Sequence, residues 1–275
     1  MPGAAERRAP WGFLRAFFRA GFRRYAAYRA ATLAGAFTNA MFGLVKASIL
    51  LAVIHANGGA AVGGYDATTA SSYAWLSQAT LSVVYVFTWT EVAARVRSGD
   101  IAVDLARPVD LQLSLLAADL GRATYSLLPR GLPSLAVGAA TFGLTLTTDP
   151  AMWLLGLTSL VLAVVVSFAC RFAVNLVAFW WVEIRGLMTL YVVATNVLCG
   201  LVVPVHWFPD WLRVLATATP FPSMLQTPVD VLGGTIRGAA ALSAVAVQLG
   251  WAVATLGGGR LLLRRATRKL VVQGG

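Results

Sequence analysis

The chain has 275 residues, 58% of them hydrophobic, a mean hydropathy of +0.73 and a formal net charge of +11. A soluble domain of this length does not usually reach that apolar fraction, and apolar runs of about 20 residues, the length a bilayer core asks of a helix, recur along it. The composition therefore predicts an all-α polytopic membrane protein. The positive charge flanks apolar runs and lacks the interleaved stacking aromatics of a strand-binding groove, which argues against nucleic acid as a partner.

Residues 1–29 are Arg-rich, with Glu6 the only acid. They have the composition of a transit peptide but not the apolar core and cleavage site of a signal peptide. The periodicity instead predicts a retained helix over 11–29. Arg15, Arg19 and Arg23 recur on one face, while Trp11, Leu14, Phe17, Phe18, Tyr25 and Tyr28 share the opposite one. A basic stripe opposite an aromatic face places such a helix in the headgroup plane.

A first span is expected at 30–54, with Lys46 about two-thirds of the way across and free to snorkel outward. The loop HANGGAAVGGYDATTASS has no Lys or Arg and so faces outward. A second span at 73–90 then returns to the cytoplasm and delivers the run EVAARVRSGDIAVDLARPVDLQL (91–113) there. In a chain with 12% charged residues, this run carries Arg95, Arg97, Asp100, Asp104, Arg107 and Asp110. Charge at that density faces water or another protein. A short helix over 101–105, closed by Arg107 and Pro108, gives the run the form of a docking knob.

Residues 111–125 are half polar, with Asp119 and Arg122, and climb from the cytoplasmic surface into an apolar run over 126–146 that Pro129 and Pro133 break. After an outward turn, TLTTDPA, a fourth run stays apolar over 152–182. That is too long for an upright helix, so it tilts or continues into the cytoplasm. At ~1.5 Å per residue, Arg171 lies about 30 Å from the outer end, near the inner interface. Glu183 and Arg185 form a cytoplasmic corner, and further spans are expected at 186–205 and 239–263. The pattern is six transmembrane helices in the cytoplasmic membrane with both termini cytoplasmic.

Residues 204–234, PVHWFPDWLRVLATATPFPSMLQTPVDVLGG, are too short to span and too apolar for free solution. With a helical piece over 210–218, they read as a re-entrant or interfacial segment capping the outer mouth. Its candidate gate residues are Trp207, Phe208, Pro209, Trp211, Pro220, Phe221 and Pro222. Neither a tandem repeat nor a low-complexity linker interrupts the chain, so 1–275 reads as a single domain.

Enzyme chemistry finds little purchase. The only lysines, Lys46 and Lys269, follow Val and Arg, so no P-loop exists to hold ATP. His206 and Asp210 stand at i, i+4 but lack a third ligand, and they read as an interfacial His and a helix-starting Asp rather than a metal site. Cys170 and Cys199 fall in apolar runs as core thiols, and no G-x-S-x-G elbow occurs. Asn39, Gln78, Asn175 and Asn196 read as glue between helices. Arginine outnumbers lysine twenty to two, usage that fits a GC-rich, bacterial genome.

Two stretches carry a family resemblance. The run RSGDIAVDLARP (97–108) resembles the cytoplasmic coupling segment of ABC-2-type permeases, whose form is G-x-(ILV)-x-x-x-L-x-(RK)-P. Trp207-Phe-Pro-x-Trp-Leu, then Pro220-Phe-Pro, then Thr227-Pro-Val and a Gly, is similar to the entrance of that family's last span. The likeness covers essentially the whole chain. It implies the membrane subunit of an ATP-driven exporter, paired with a second copy or a sister permease in the lipid bilayer. ATP and Mg would be held by a separate P-loop ATPase subunit, and this chain would carry no cofactor or metal. Gly99, Asp100, Ile101, Asp104, Leu105, Arg107 and Pro108 would dock on that ATPase, with Asp100 and Asp104 offering carboxylates. The N-terminal helix would transmit tilt. Sparse charge in the spans suits an amphiphilic cargo such as a drug, antibiotic or lipid-linked product.

The alternative is a self-contained secondary transporter or channel, which would show inverted repeats and mid-membrane ionisable groups. An intramembrane enzyme acting on lipid would need a convergent nucleophile or metal set, for which His206 with Asp210 is the nearest candidate.

Overall fold

The structure is a computed structural model in which residues 10–181 and 183–268 are described. They are helical almost throughout, and the one strand-like feature among them is the isolated bridge between Val62 and Tyr65. The predicted helix over 11–29 is α1, Pro10–Ala26. Its Arg15, Arg19 and Arg23 are exposed as expected, while residues 1–9 of that stretch and the Trp11 side chain lie outside the described residues. The aromatic face does not simply meet a headgroup plane. Phe17 and Phe18 are half-buried because α1 docks along α6, Leu111–Ser126. Two glycines permit this: a Cβ on Gly21 would overlap the Ala118 carbonyl, and one on Gly121 would overlap that of Phe18.

Among the described residues, three helices are long and apolar enough to cross a membrane: α2 (Arg29–Ala56), α8 (Pro150–Leu176, running on through a tight turn to Phe179) and α12 (Gly238–Thr267). Asp149 caps α8 by accepting from Ala151 N–H at 2.8 Å, and Pro150 at its start forgoes an N–H that no helix turn would use. The helix α3, Ala67–Val83, begins where the Asp66 carboxylate accepts from Thr69 N–H at 2.7 Å, a bond that holds the carboxyl below its usual range.

The expected second span over 73–90 is displaced. Helix α3 starts earlier and stops at Val83, and residues 84–90 leave the helical path. Side chains from other helices satisfy the freed carbonyls. Arg122 donates to Val83 O at 2.8 Å, Ser167 to Tyr85 O at 2.7 Å and Asn175 to Trp89 O at 2.7 Å. Buried backbone needs such partners.

Beyond α4 (Glu91–Ser98) and α5 (Ile101–Ala106), α6 passes through a wide π-turn, Leu127–Gly131, into α7, Leu132–Thr141. Pro129 and Pro133 therefore loosen the helix into a widened turn rather than ending it, the usual way such a bend is absorbed. The expected fifth span over 186–205 shortens to α9, Arg185–Leu198. The outer segment folds into α10 (Asp210–Thr217) and α11 (Gln226–Leu232). Helix α11 is buried between α3 and α8, whereas α10 leaves Trp211, Val214 and Leu215 exposed.

Candidate functional site

The knob is a helical hairpin. Gly99 ends α4 with φ +82°, a left-handed conformation that a side chain would strain, and so turns the chain straight into α5. Arg107 is extended ahead of Pro108, which closes α5. Ile101 is buried against Val92, Leu111, Phe168, Phe172 and Leu176, and Leu105 packs half-buried beside them. Val103, 60% exposed, points the other way. Gly99 and Asp100 ahead of α5, and Arg107 and Pro108 after it, are exposed.

Asp104 is turned inward rather than offered to a partner. Arg95 donates to it at 2.6 Å, and Arg107 lies 3.7 Å from its other oxygen. Glu91 meets Arg95 at 2.9 Å and Arg24 of α1 at 3.6 Å. Asp100 stays outside, accepting from Ser98 Oγ at 2.6 Å. Asp104, Glu91 and Arg95 thus tie the hairpin to itself and to α1, and Asp100, Val103 and Arg107 are among its exposed residues. A cleft of about 250 Å³ adjoins it, walled by α1, α4, α5, α6 and α8.

Beneath the cleft, Asp119 sits between two guanidiniums, Arg122 at 2.6 Å and Arg171 of α8 at 2.8 Å. Asn175, one turn along α8, accepts from Ala93 N–H at 3.1 Å while it donates to Trp89 O. Asp110 caps α6 through Leu113 N–H and pairs with Arg260 of α12. Of the long helices, α8 thus reaches the hairpin itself through Asn175, and α12 reaches the residue that starts α6 just beyond it through Arg260. The sequence placed Asp119, Arg122 and Arg171 near one level, but nothing in it joined them. Arg97 with Glu183, 3.5 Å apart, likewise links the hairpin to the turn before α9.

At the opposite end, His206 does not face Asp210. Asp210 pairs with Arg213, and His206 Nε2 lies 2.9 Å from Asp230 of α11. The same carboxylate accepts from Tyr65 OH at 3.1 Å and Gln226 Nε2 at 2.8 Å, and Tyr73 OH donates to Gln226 at 2.8 Å. Asp230 holds the His206 imidazole above its ordinary range, against the opposing effect of burial. Trp207 is half-buried with its ring edge toward Tyr65, and Phe221 packs against Tyr191. Phe208, Pro220 and Pro222 are half-buried, while Pro209 is exposed like Trp211.

Lys46 does not snorkel outward. It is 8% exposed, and its Nζ donates to Ser77 Oγ of α3 at 2.7 Å. Asn39 and Asn175 are glue, as expected: Asn39 donates to Gln78 O at 2.9 Å and to Ser134 Oγ at 3.0 Å. A cavity of about 840 Å³ opens between α2, α3, the π-turn and the 201–203 turn, reaching from Arg122 to Trp207.

A family model described as "ABC-2 family transporter protein" matches residues 42–274. No curated protein and no solved structure matches the chain significantly.

Proposed function

The chain belongs to the ABC-2 transporter family, and on that premise we propose that it is the permease subunit of an ATP-binding cassette exporter, moving an amphiphilic compound across the cytoplasmic membrane of a bacterium. Members of this family are transport subunits and are not themselves catalytic. In this reading α2, α3, the α6–α7 pair, α8, α9 and α12 make six crossings, both termini are cytoplasmic and α10–α11 cap the outer mouth. Two permeases, identical or sister chains, sit side by side on two copies of a P-loop ATPase that hold ATP and Mg.

The observation that carries the reading is the α4–α5 hairpin. Asp104 is engaged inside it by Arg95, and Glu91 by Arg95 and Arg24 of α1, yet it presents Val103, Asp100, Arg107 and Pro108 to the exterior. Asn175 bonds the hairpin to α8, while just beyond it Asp110 ties the start of α6 to α12 and Asp119 ties α6 to α8. A knob bonded to α8 and followed at once by a helix tied to α8 and α12 suits a part that receives a push from outside the membrane.

The test is purification of the tagged chain from its host in mild detergent, with mass spectrometry of what accompanies it. A stoichiometric P-loop ATPase is expected. A stable oligomer of this chain alone would overturn the reading in favour of a self-contained transporter.

A further inference from the structure

The cavity between α2 and α3 has a one-sided charge. Three basic residues line it, Lys46, Arg122 and Arg130, and no Asp or Glu does. Arg122 shares Asp119 with Arg171, so that cluster keeps a surplus positive charge. Lys46 has only Ser77 Oγ and the face of Tyr73, 4.8 Å away, and no carboxylate lies within ion-pair distance of it among the described residues. Arg130 likewise has no carboxylate partner among them, and its Nε is buried without a hydrogen-bond acceptor. Its guanidinium lies against α2 in a space that Gly35 leaves open, where a Cβ would collide with it.

Further polar atoms in the lining are orphaned. Gln78 Oε1 and Trp207 Nε1 are buried with no partner. A buried cation or polar atom without a partner costs free energy that a bound ligand can recover. Beside Lys46, α2 also contributes an apolar stripe to the wall, with Phe42, Val45 and Ile49 all more than half exposed along it. Gly35 and Lys46 are separated by about 16 Å of helix rise. The basic groups are thus spaced along an apolar wall rather than gathered at one point.

We propose that this cavity binds an amphiphile with an anionic headgroup, a phosphate or carboxylate on an acyl chain. The headgroup pairs with Arg130 at one depth and Lys46 at another, while the chain lies along α2. This deepens the permease reading by naming the class of cargo, and it excludes a cationic amphiphile from the same path.

The probes are phosphatidylglycerol, phosphatidylcholine with the same chains, dodecyl phosphate and inorganic phosphate, each added to the purified chain in a neutral maltoside. Bound species are counted by native mass spectrometry. Occupancy by phosphatidylglycerol should exceed that by phosphatidylcholine by at least about tenfold. The preference should fall to near unity in Lys46→Gln/Arg130→Gln and persist in Lys46→Arg/Arg130→Lys. Should the neutral double variant not fold, Arg130→Gln alone, at a half-exposed side chain, carries the comparison. Competition by dodecyl phosphate against the lipid would mark a site open to single-chain cargo, and its absence a site for a bilayer lipid; both keep the anionic class. Equal occupancy by the two lipids, a preference indifferent to the neutral variants, or displacement by inorganic phosphate alone would each overturn the proposal. The assay uses this chain without an ATPase, so its failure would leave the ATPase pull-down unaffected, and a failed pull-down would not alter the lipid result.

Discussion

Arg171 on α8 donates to Asp119 on α6 at 2.8 Å, and their side chains are 2% and 12% exposed. The same carboxylate takes Arg122 at 2.6 Å, so one acid serves two buried guanidiniums. Removing one partner of such a cluster costs more than forming the pair gains, because the charges left behind have lost their solvent and their counterion. Asp119→Asn should therefore lower stability by roughly 3–5 kcal/mol, seen as a marked drop of the thermal midpoint in detergent. Asp119→Asn with Arg171→Met should lose less than the two single changes added together. Strict additivity would mean that the pair is not coupled.

The hairpin separates surface from support. Val103→Asp places a charge at the exposed tip and should leave the thermal midpoint within the range of ordinary surface changes, about 0.5 kcal/mol. At the centre of a docked interface, the same charge costs on the order of 2 kcal/mol, so recovery of the ATPase should fall more than tenfold. Asp104→Ala should do the reverse first. It frees Arg95 and Arg107 inside the hairpin and destabilises the fold before any question of docking arises. Undiminished ATPase recovery with Val103→Asp would remove the tip from the interface.

Close approach of α1 to α6 gives a steric test with an internal control. Gly21→Val would drive its side chain into the backbone of α6 and should cost about 1–3 kcal/mol, the range for forced overpacking. It should also expose α1 to limited proteolysis. Gly12→Ala, on the same helix with nothing within 4 Å of an added Cβ, should change neither. Equal effects at both positions would mean that α1 does not rest on α6.

These cases show what a sequence read alone can and cannot yield. The hairpin was legible because its determinants are local: a glycine to turn on, and Arg107-Pro108 to stop α5. The mutual position of Asp119 and Arg171 was not, since each was placed at the right level but the bond joins residues 52 apart. The end of α3 is hidden for the same reason, because Val84 to Thr90 look as apolar as a span and the bonds from Ser167 to Tyr85 O and from Asn175 to Trp89 O come from residues far along the chain. The i, i+4 spacing of His206 and Asp210 does not put them on one helical face, and Asp210 starts α10 as its position predicts. Pro209 and the extended Phe208 separate them, and the imidazole turns to Asp230 instead.

That imidazole makes the outer segment sensitive to pH. Asp230 raises His206 above its unfolded value, while burial and Arg213 oppose the shift. A raised folded value means that the stabilisation is fully present below the unfolded value, about 6.5, and is lost as pH rises through the folded one. The thermal midpoint should therefore decline as pH rises above about 6.5, and His206→Gln should flatten that decline. Proteolysis within 204–234 should rise over the same interval in the parent chain alone. A parallel slope in both proteins would assign the pH dependence to other groups.

Asn175 offers a way to part docking from coupling. Its amide spans from α8 to the start of α4, accepting from Ala93 N–H and donating to Trp89 O, and it is fully buried. Asn175→Ala would leave those two backbone groups without partners, a loss of about 1–3 kcal/mol each way that the fold should survive. The tip of the hairpin is untouched by the change, so in the permease reading the ATPase should still co-purify in full. What should weaken is the link by which a displaced hairpin moves α8. The ATPase rate of the complex should then fall toward that of the isolated ATPase subunit, whereas Val103→Asp would give no complex to measure. Should Asn175→Ala instead leave the stimulated rate unchanged, the push would have to travel through Asp119 or Asp110, and the same measurement on variants of those residues would locate it.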